Sequence, residues 1–333
     1  MRRLVTVGIP IYRRLSYLPN ALRCVALQDY DDLEVLVSDN GMNGSRVEDI
    51  VREHYPRRWR FRQNPATVES AEHFNQLIEA AAGDYFVLLA DDDEISGNFV
   101  SELATLLDRY PDANLALSAQ EVVDKEGACL ERSRGPLPET LSGAGLIHAV
   151  WRDHRFGFQS FVTHLARTEA LRRVGGFPHF TGATHDDDAV LLRLSLGHTV
   201  ALSERCTFRW RRYDESLGWS ISIEELAASS REFLAFLDGD PTIRRYADAN
   251  ADEWREVKQT LSSMVHDTYM WRWRDFYRER MPRLRWLIAP FRMSPSRDYY
   301  KRLLAMLFPR LRSSVKRLAG RPVAPRGKDA KAG

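Results

Sequence analysis

With 333 residues, 44% of them hydrophobic and 28% charged, the chain can bury a sizeable core and reads as one large globular domain with an appendage, or as two domains. Its net charge of +2 is unevenly divided: residues 271–333 carry 18 basic against 4 acidic residues, a net of +14, whereas residues 1–270 carry 30 against 42, a net of −12. An acidic body excludes nucleic acid as the main ligand of the folded core, and three scattered cysteines (Cys24, Cys129, Cys206) without a CxxC pair suggest neither a disulfide framework nor a zinc site and fit a reducing cytoplasm.

The opening Met1-Arg2-Arg3 leads directly into an apolar run and is unlike a signal peptide. No run approaches the roughly 18 apolar residues of a membrane span. Hydrophobic periodicity predicts a strand over 4–11, a helix over 16–28, and a second strand over 33–38 that closes on the turn Asp39-Asn40-Gly41. A helix over 46–55, a short strand over 59–62, and a helix over 70–82 stopped by Gly83 come next. Another strand then runs into Asp91-Asp92-Asp93, with a helix over 99–110 and a strand over 115–123 beyond it. This order predicts a largely parallel sheet covered on both faces, with ligands at the carboxyl ends of the strands, where Asp39 and the Asp91 cluster both lie.

Three consecutive carboxylates at the end of a buried strand repel one another, so a positive partner is expected among them, with a hard divalent cation as the leading candidate. The alternative is a solvated acidic turn before a helix that Ser96 caps. A second triplet, Asp186-Asp187-Asp188 after His185, opens another helical pattern, and acidic residues also suit a helix N-terminus on electrostatic grounds alone.

These residues carry a resemblance. Val5-Thr6-Val7-Gly8-Ile9-Pro10-Ile11-Tyr12-Arg13-Arg14 is similar to the first strand of family 2 glycosyltransferases, with Arg13 where Asn is commoner. Glu34-Val35-Leu36-Val37-Ser38-Asp39-Asn40-Gly41 resembles the family's second strand and acidic turn, and Gly83 to Asp93 resembles its strand ending in an Asp-x-Asp (DXD) motif. Val174-Gly175-Gly176-Phe177 resembles its Gly-Gly-Phe element, and Asp186-Asp187 followed by Leu192-Arg193 resembles its Glu-Asp pair and helix, with Asp186 in place of Glu. The resemblance covers residues 4–215.

It implies an α/β, GT-A type nucleotide-diphospho-sugar transferase fold, with a mostly parallel central sheet flanked by helices and a helical C-terminal extension. It further implies a metal-dependent, inverting transfer of a hexosyl or deoxyhexosyl group to an acceptor hydroxyl, in bacterial surface-polysaccharide or lipid-linked glycan synthesis. The implied metal is Mn²⁺ or Mg²⁺ on Asp93 and Asp91, with Asp92 open as a matter of register. Pro10 and Tyr12 would line the base pocket, Asp39 would accept from the base edge, Asp91 and Asp92 would lie by the ribose, and Asn64 beneath the nucleotide. Asp187 would be the general base with Asp186 as its alternative, because an attacking hydroxyl must lose its proton. For Pro10, Tyr12 and Asn64 the competing reading is ordinary strand-end and turn chemistry. Arg211 and Arg212 read either as partners of the leaving phosphate or as surface charge, and His185 as metal ligand, base or neither. A sugar-phosphate nucleotidyltransferase, or a non-catalytic glycan-binding protein that keeps the fold, are the other readings. The first normally needs a Gly-rich basic loop after Tyr12, and the chain has none there.

The expected organisation is a catalytic domain over 1–220, split into a nucleotide-sugar half at 1–125 and an acceptor half at 126–220. A helical, basic region over 221–320 and a disordered tail over 321–333 would follow. Helices are expected over 223–237 and 251–277. From Tyr300 to Leu318 apolar residues at helical spacing alternate with cations, with Pro309 as a kink, and Trp271, Trp273 and Trp286 lie nearby. This pattern suits an anionic membrane surface contacted through residues 271–320, or equally docking on the protein's own acidic body. The protein is accordingly expected in the cytoplasm, or peripheral on the inner face of its membrane.

Overall fold

The computed structural model describes residues 3–158, 160–213, 221–278, 282, 286, 288–293 and 297–307. The chain divides into two compact units, Met1–Asp267 and Thr268–Gly333.

Three mostly apolar runs fold as buried parallel strands, because both faces of such a sheet are covered, while the edge strand Trp59–Gln63 stays partly exposed. β1 (Val5–Ile11) lies between β2 (Leu33–Asp39) and β4 (Tyr85–Leu88), and β3 (Trp59–Gln63) adds outside β2, all four parallel. In register, Ile11 stands beside Asp39 and Gly8 beside Leu88, so these strands finish at one edge. Beyond β4 come β9 (Leu165–Arg167), β6 (Leu115–Val123) and β10 (Thr199–Arg211), and then the two-residue β5 (Glu94–Ile95). β9 runs antiparallel to both neighbours, which makes the otherwise largely parallel sheet a mixed one. Short strands β7 (Cys129–Arg132) and β8 (Thr140–Ser142) pair with β6 and β10.

Side chains alternate across the strands and build two cores. Val5, Val7, Ile9 and Ile11 of β1 and Val87 of β4 face α1 (Leu18–Ala26), α2 (Ser45–His54) and α4 (Phe99–Arg109), through Leu22, Val51 and Leu103 among others. Phe86 and Leu88 face the opposite layer: α3 (Ser70–Ala80), α5 (Gly143–Ile147), α6 (Thr168–Arg173) and α7 (Asp186–Ser195). α1 begins at Leu18 rather than at residue 16, with Pro19 in its first turn, where a missing N–H costs nothing.

α8 (Ile223–Gly239) opens on a capping box in which Ser222 and Glu225 satisfy each other's backbone amides, and Asp240 caps α9 (Pro241–Ala249). α10 (Ala251–Trp271) gives way to a π-turn over Arg272–Phe276, so the helix expected over 251–277 changes its winding near its end. α11 (Arg297–Leu307) is the last described element. The remainder of the basic stripe from residue 308 and the tail over 321–333 lie outside the described residues. Among the described residues no helix is long and apolar enough to cross a membrane.

Candidate functional site

The carboxyl edge of the sheet gathers the first group. Asp39, wholly buried, holds the turn after β2: Oδ1 accepts from the Gly41 amide and the Asn43 side chain, both at 2.8 Å, and Oδ2 accepts from the Asn43 amide at 2.7 Å. Oδ2 keeps a lone pair for a further donor. Gly41 permits this turn because a Cβ there would lie 1.4 Å from the carbonyl oxygen of Tyr12. Tyr12 itself is exposed, with the Arg13 guanidinium 4.8 Å from its ring centre, and Pro10 stands in β1 opposite Ser38.

Asn64 is buried, donating to Asn40 Oδ1 at 3.0 Å and accepting from Arg62 at 3.3 Å. Asn40 clamps both backbone groups of Val68. This network fixes the loop from β3 into α3, so the structure places Asn64 within the scaffold under the edge. His73 meets Ser38 Oγ at 2.8 Å, and burial followed by the nearby Arg62 lowers its pKa to about 4.

Asp91, Asp92 and Asp93 follow β4. Asp93 is buried and its Oδ1 accepts from the Arg211 amide at 2.9 Å, while Asp92 Oδ2 accepts from the Tyr213 hydroxyl. Burial and then the Asp92 charge push the proton affinity of both Asp91 and Asp93 well above the usual carboxylate range, and Arg14 opposes this at Asp91. The positive partners expected among these carboxylates thus include two from the chain itself. Arg14 lies 4.4 Å from the Tyr213 ring centre, and Arg211 lies 4.6 Å from that of Tyr17.

The Arg211 guanidinium, read from sequence as phosphate partner or surface charge, is neither. It is buried and bonds Glu94 at 2.7 Å and the carbonyls of Asp92, Asp124 and Lys125. Arg212 pairs with Glu131 at 2.9 Å. Nothing in the sequence distinguishes these two arginines. Only the end of β10 beside Asp93 does.

The second triplet forms the first turn of α7. Asp187 Oδ2 accepts from the Phe161 amide at 3.0 Å, Asp186 Oδ1 from the Phe180 amide at 3.3 Å, and Asp188 meets His185 Nδ1 at 3.0 Å. Asp186 Oδ2 and His185 Nε2 are buried without a hydrogen-bond partner, and His185 stacks on Phe233 at 4.8 Å. Burial and then the Asp188 charge raise the pKa of Asp187 to about 6, and burial and then the Asp187 charge raise that of Asp186 to about 8. Arg193 ties α7 to its surroundings through the Gly176 carbonyl at 3.0 Å and Asp240 at 2.8 Å. Asn75 in turn brackets the Phe177 backbone with two 2.8 Å bonds. Gly176, at φ 61°, leaves room for that bracket, since a Cβ would lie 2.1 Å from Asn75 Oδ1.

One segment links the triplets. Phe161 bonds Asp187, and two residues on, Thr163 Oγ1 donates to the Leu88 carbonyl at 2.9 Å, at the end of the strand that leads to Asp91. Sequence reading missed residues 161–163 because no motif marks them.

Among the described residues no group of three or more His, Cys, Asp or Glu is arranged to hold a metal alone. Asp93 with one committed oxygen, beside Asp91, nevertheless fits a hard cation that completes its shell with water and phosphate oxygens. The raised proton affinity of both fits as well, since bringing a cation there relieves their repulsion.

Asp186 gives a pH test. Its pKa is higher folded, about 8, than the ordinary value of about 3.9, so the folded state binds the extra proton between these limits. That contribution is complete below about pH 4 and is lost as pH rises towards 8. Denaturant unfolding of ligand-free protein should show stability falling over this window, with a shallower slope in Asp186→Asn. Equal slopes would remove the assignment.

Sheet order, the carboxylates at the ends of β2 and β4, and the acidic turn of α7 together define the GT-A class of nucleotide-diphospho-sugar transferase fold. Solved structures share it. Staphylococcus aureus TarS 1–349 with UDP-GlcNAc superposes with a TM-score of 0.60 at 14% identity over 86% of this chain and 79% of that one. The same protein with UDP gives 0.57 at 14% identity over 87% and 80%. The family model for glycosyl transferase family 2 matches residues 6–175, and the chain belongs to that family. A Campylobacter jejuni GalNAc(5)-diNAcBac-PP-undecaprenol beta-1,3-glucosyltransferase is 26% identical over 43% of this chain and 43% of its own length. An uncharacterized glycosyltransferase of Rickettsia bellii is 29% identical over 39% and 19%. The matched part of the chain thus spans less than half of either curated relative.

Proposed function

We propose that the protein is an inverting glycosyltransferase that moves a sugar from a nucleoside-diphospho-sugar to a hydroxyl of a glycan or lipid-linked glycan acceptor. The observation that carries this reading is the pair of acidic clusters joined through residues 161–163, one at the donor edge of the sheet and one at the start of α7. The Campylobacter relative, by its name a transferase acting on an undecaprenol-linked glycan, supports the acceptor class.

In this reading the nucleoside lies over the ends of β1 and β2, with Pro10 and Tyr12 at its side and its base over the turn that Asp39 holds. Asp93 and Asp91 would hold Mg²⁺ or Mn²⁺, which when bound neutralises charge on the departing diphosphate. Asp92 stays beside the ribose, tethered by Tyr213. Asp187 takes the proton of the acceptor hydroxyl, and a pKa near 6 leaves it ionised at neutral pH yet basic enough to serve. Asp186 holds its proton there and keeps the Phe180 backbone in place. Inversion follows if the acceptor attacks the sugar from the side opposite the diphosphate, where Asp187 stands in this reading.

A thermal-shift screen of nucleoside diphosphates with and without Mn²⁺ tests the donor site. A ligand at 100 times its dissociation constant stabilises by about 2.7 kcal/mol. One nucleotide should stabilise the parent in the presence of metal, and Asp93→Asn should abolish the metal-dependent part. Absence of any stabilising nucleotide would overturn the reading.

A further inference from the structure

Among the described residues of the second compact unit, several aromatic side chains are tied to one another while a few large apolar ones stay exposed. Trp273 and Trp286 stack at 4.7 Å and exchange bonds, each indole N–H donating to the other's carbonyl at 2.8 and 2.9 Å. Tyr269 donates to the Ala289 carbonyl at 2.9 Å and Tyr299 to that of Pro290 at 2.7 Å. Tyr299 and Leu303 supply the buried side of α11. One position further along, Tyr300 and Leu304 share the adjacent face at helical i, i+4 spacing, and the Phe291 ring lies 6.3 Å from that of Tyr300. Phe291 is 61% and Leu304 55% exposed, and Ile288 and Trp271 of the same unit are also exposed. A fold that spends its tyrosines and tryptophans on fixing this segment leaves large apolar side chains outside, and such a patch marks an interaction surface.

Charge indicates the partner. The exposed Lys301 lies between Tyr300 and Leu304 in sequence, and residues 271–333 carry 18 basic against 4 acidic residues. Aromatic and aliphatic side chains set among cations match the layer of a bilayer where acyl chains meet anionic headgroups. We propose that Phe291, Tyr300 and Leu304 form the contact by which this protein sits on an anionic lipid surface, with Lys301 answering the headgroups. This rests on the reading of the acceptor as membrane-borne and names the residues that would bring the enzyme to it.

Vesicle flotation of the full-length protein tests the contact without any sugar donor, so its outcome is independent of whether transfer has been detected. The parent should float with phosphatidylglycerol and phosphatidylcholine vesicles and much less with phosphatidylcholine alone. Phe291→Ser with Leu304→Ser should lower partitioning about tenfold or more, because the apolar term is removed. Lys301→Glu should weaken binding to the anionic vesicles only. Both changes lie at exposed positions, and an unaltered melting temperature would show that folding is intact. Failure of the parent to float, or equal partitioning by the double variant, would overturn the proposal. A double variant that changes oligomeric state but floats like the parent would assign the patch to a second copy of the chain instead. Turnover on a water-soluble acceptor without flotation would overturn the membrane contact and leave the transferase reading standing.

Discussion

Asp187→Asn should lower turnover by about 10²–10⁴, the usual worth of a positioned general base, while leaving metal-dependent nucleotide binding unchanged. The substitution preserves size and an oxygen to accept from the Phe161 amide, so the α7 turn should stay in place and only basicity is lost. In the parent, kcat/KM should fall roughly tenfold per pH unit below about pH 6, the value to which burial and the Asp188 charge raise this carboxyl. Asp186→Asn should cost much less, because that carboxyl, near 8, already carries its proton at neutral pH. Single-turnover rates with donor bound would separate the two. Equal rates for the parent and Asp187→Asn would dismiss Asp187 as the base, and a larger loss in Asp186→Asn would move the role by one residue.

Arg211→Met should destabilise the folded protein by about 3 kcal/mol, the lower end of the cost of breaking a buried ion pair. The aliphatic stem is kept, but the carbonyls of Asp92, Asp124 and Lys125 lose their donor and Glu94 loses one of two arginines. Arg209, 2.8 Å from Glu94, limits the loss. Denaturant unfolding would measure it, and a change under about 1 kcal/mol would show that the guanidinium is dispensable. Nucleotide binding should weaken too, since the end of β10 that supplies the Asp93 partner loses its anchor.

The strands most legible in the sequence are those that physics makes unambiguous. Val5 to Ile11 and Leu33 to Asp39 are short, mostly apolar and β-branched runs ending at turn residues, and both lie buried as neighbouring parallel strands. β9, three residues long, carries no periodicity, so its antiparallel insertion between β4 and β6 was not readable. Motif spacing located both acidic triplets but not the state of each member. Asp91, Asp92 and Asp93 are indistinguishable as letters, and what separates them is a backbone amide from β10, a tyrosine hydroxyl and a neighbouring arginine, all distant in sequence. Arg211 shows the same limit, since neither its burial nor its five-way bonding has a local signature.

The short span from Phe161 to Thr163 carries a consequence for how such an enzyme can diversify. Its two anchor points are two residues apart, and extended chain advances at most about 3.6 Å per residue, so Asp187, the proposed base, cannot drift far from the end of β4. Loops elsewhere on the molecule are free to lengthen or change charge while the spacing between Asp187 and the end of β4 stays set. The segment works as a fixed ruler between two adjustable jaws, and substrate choice can vary without recalibrating the chemistry.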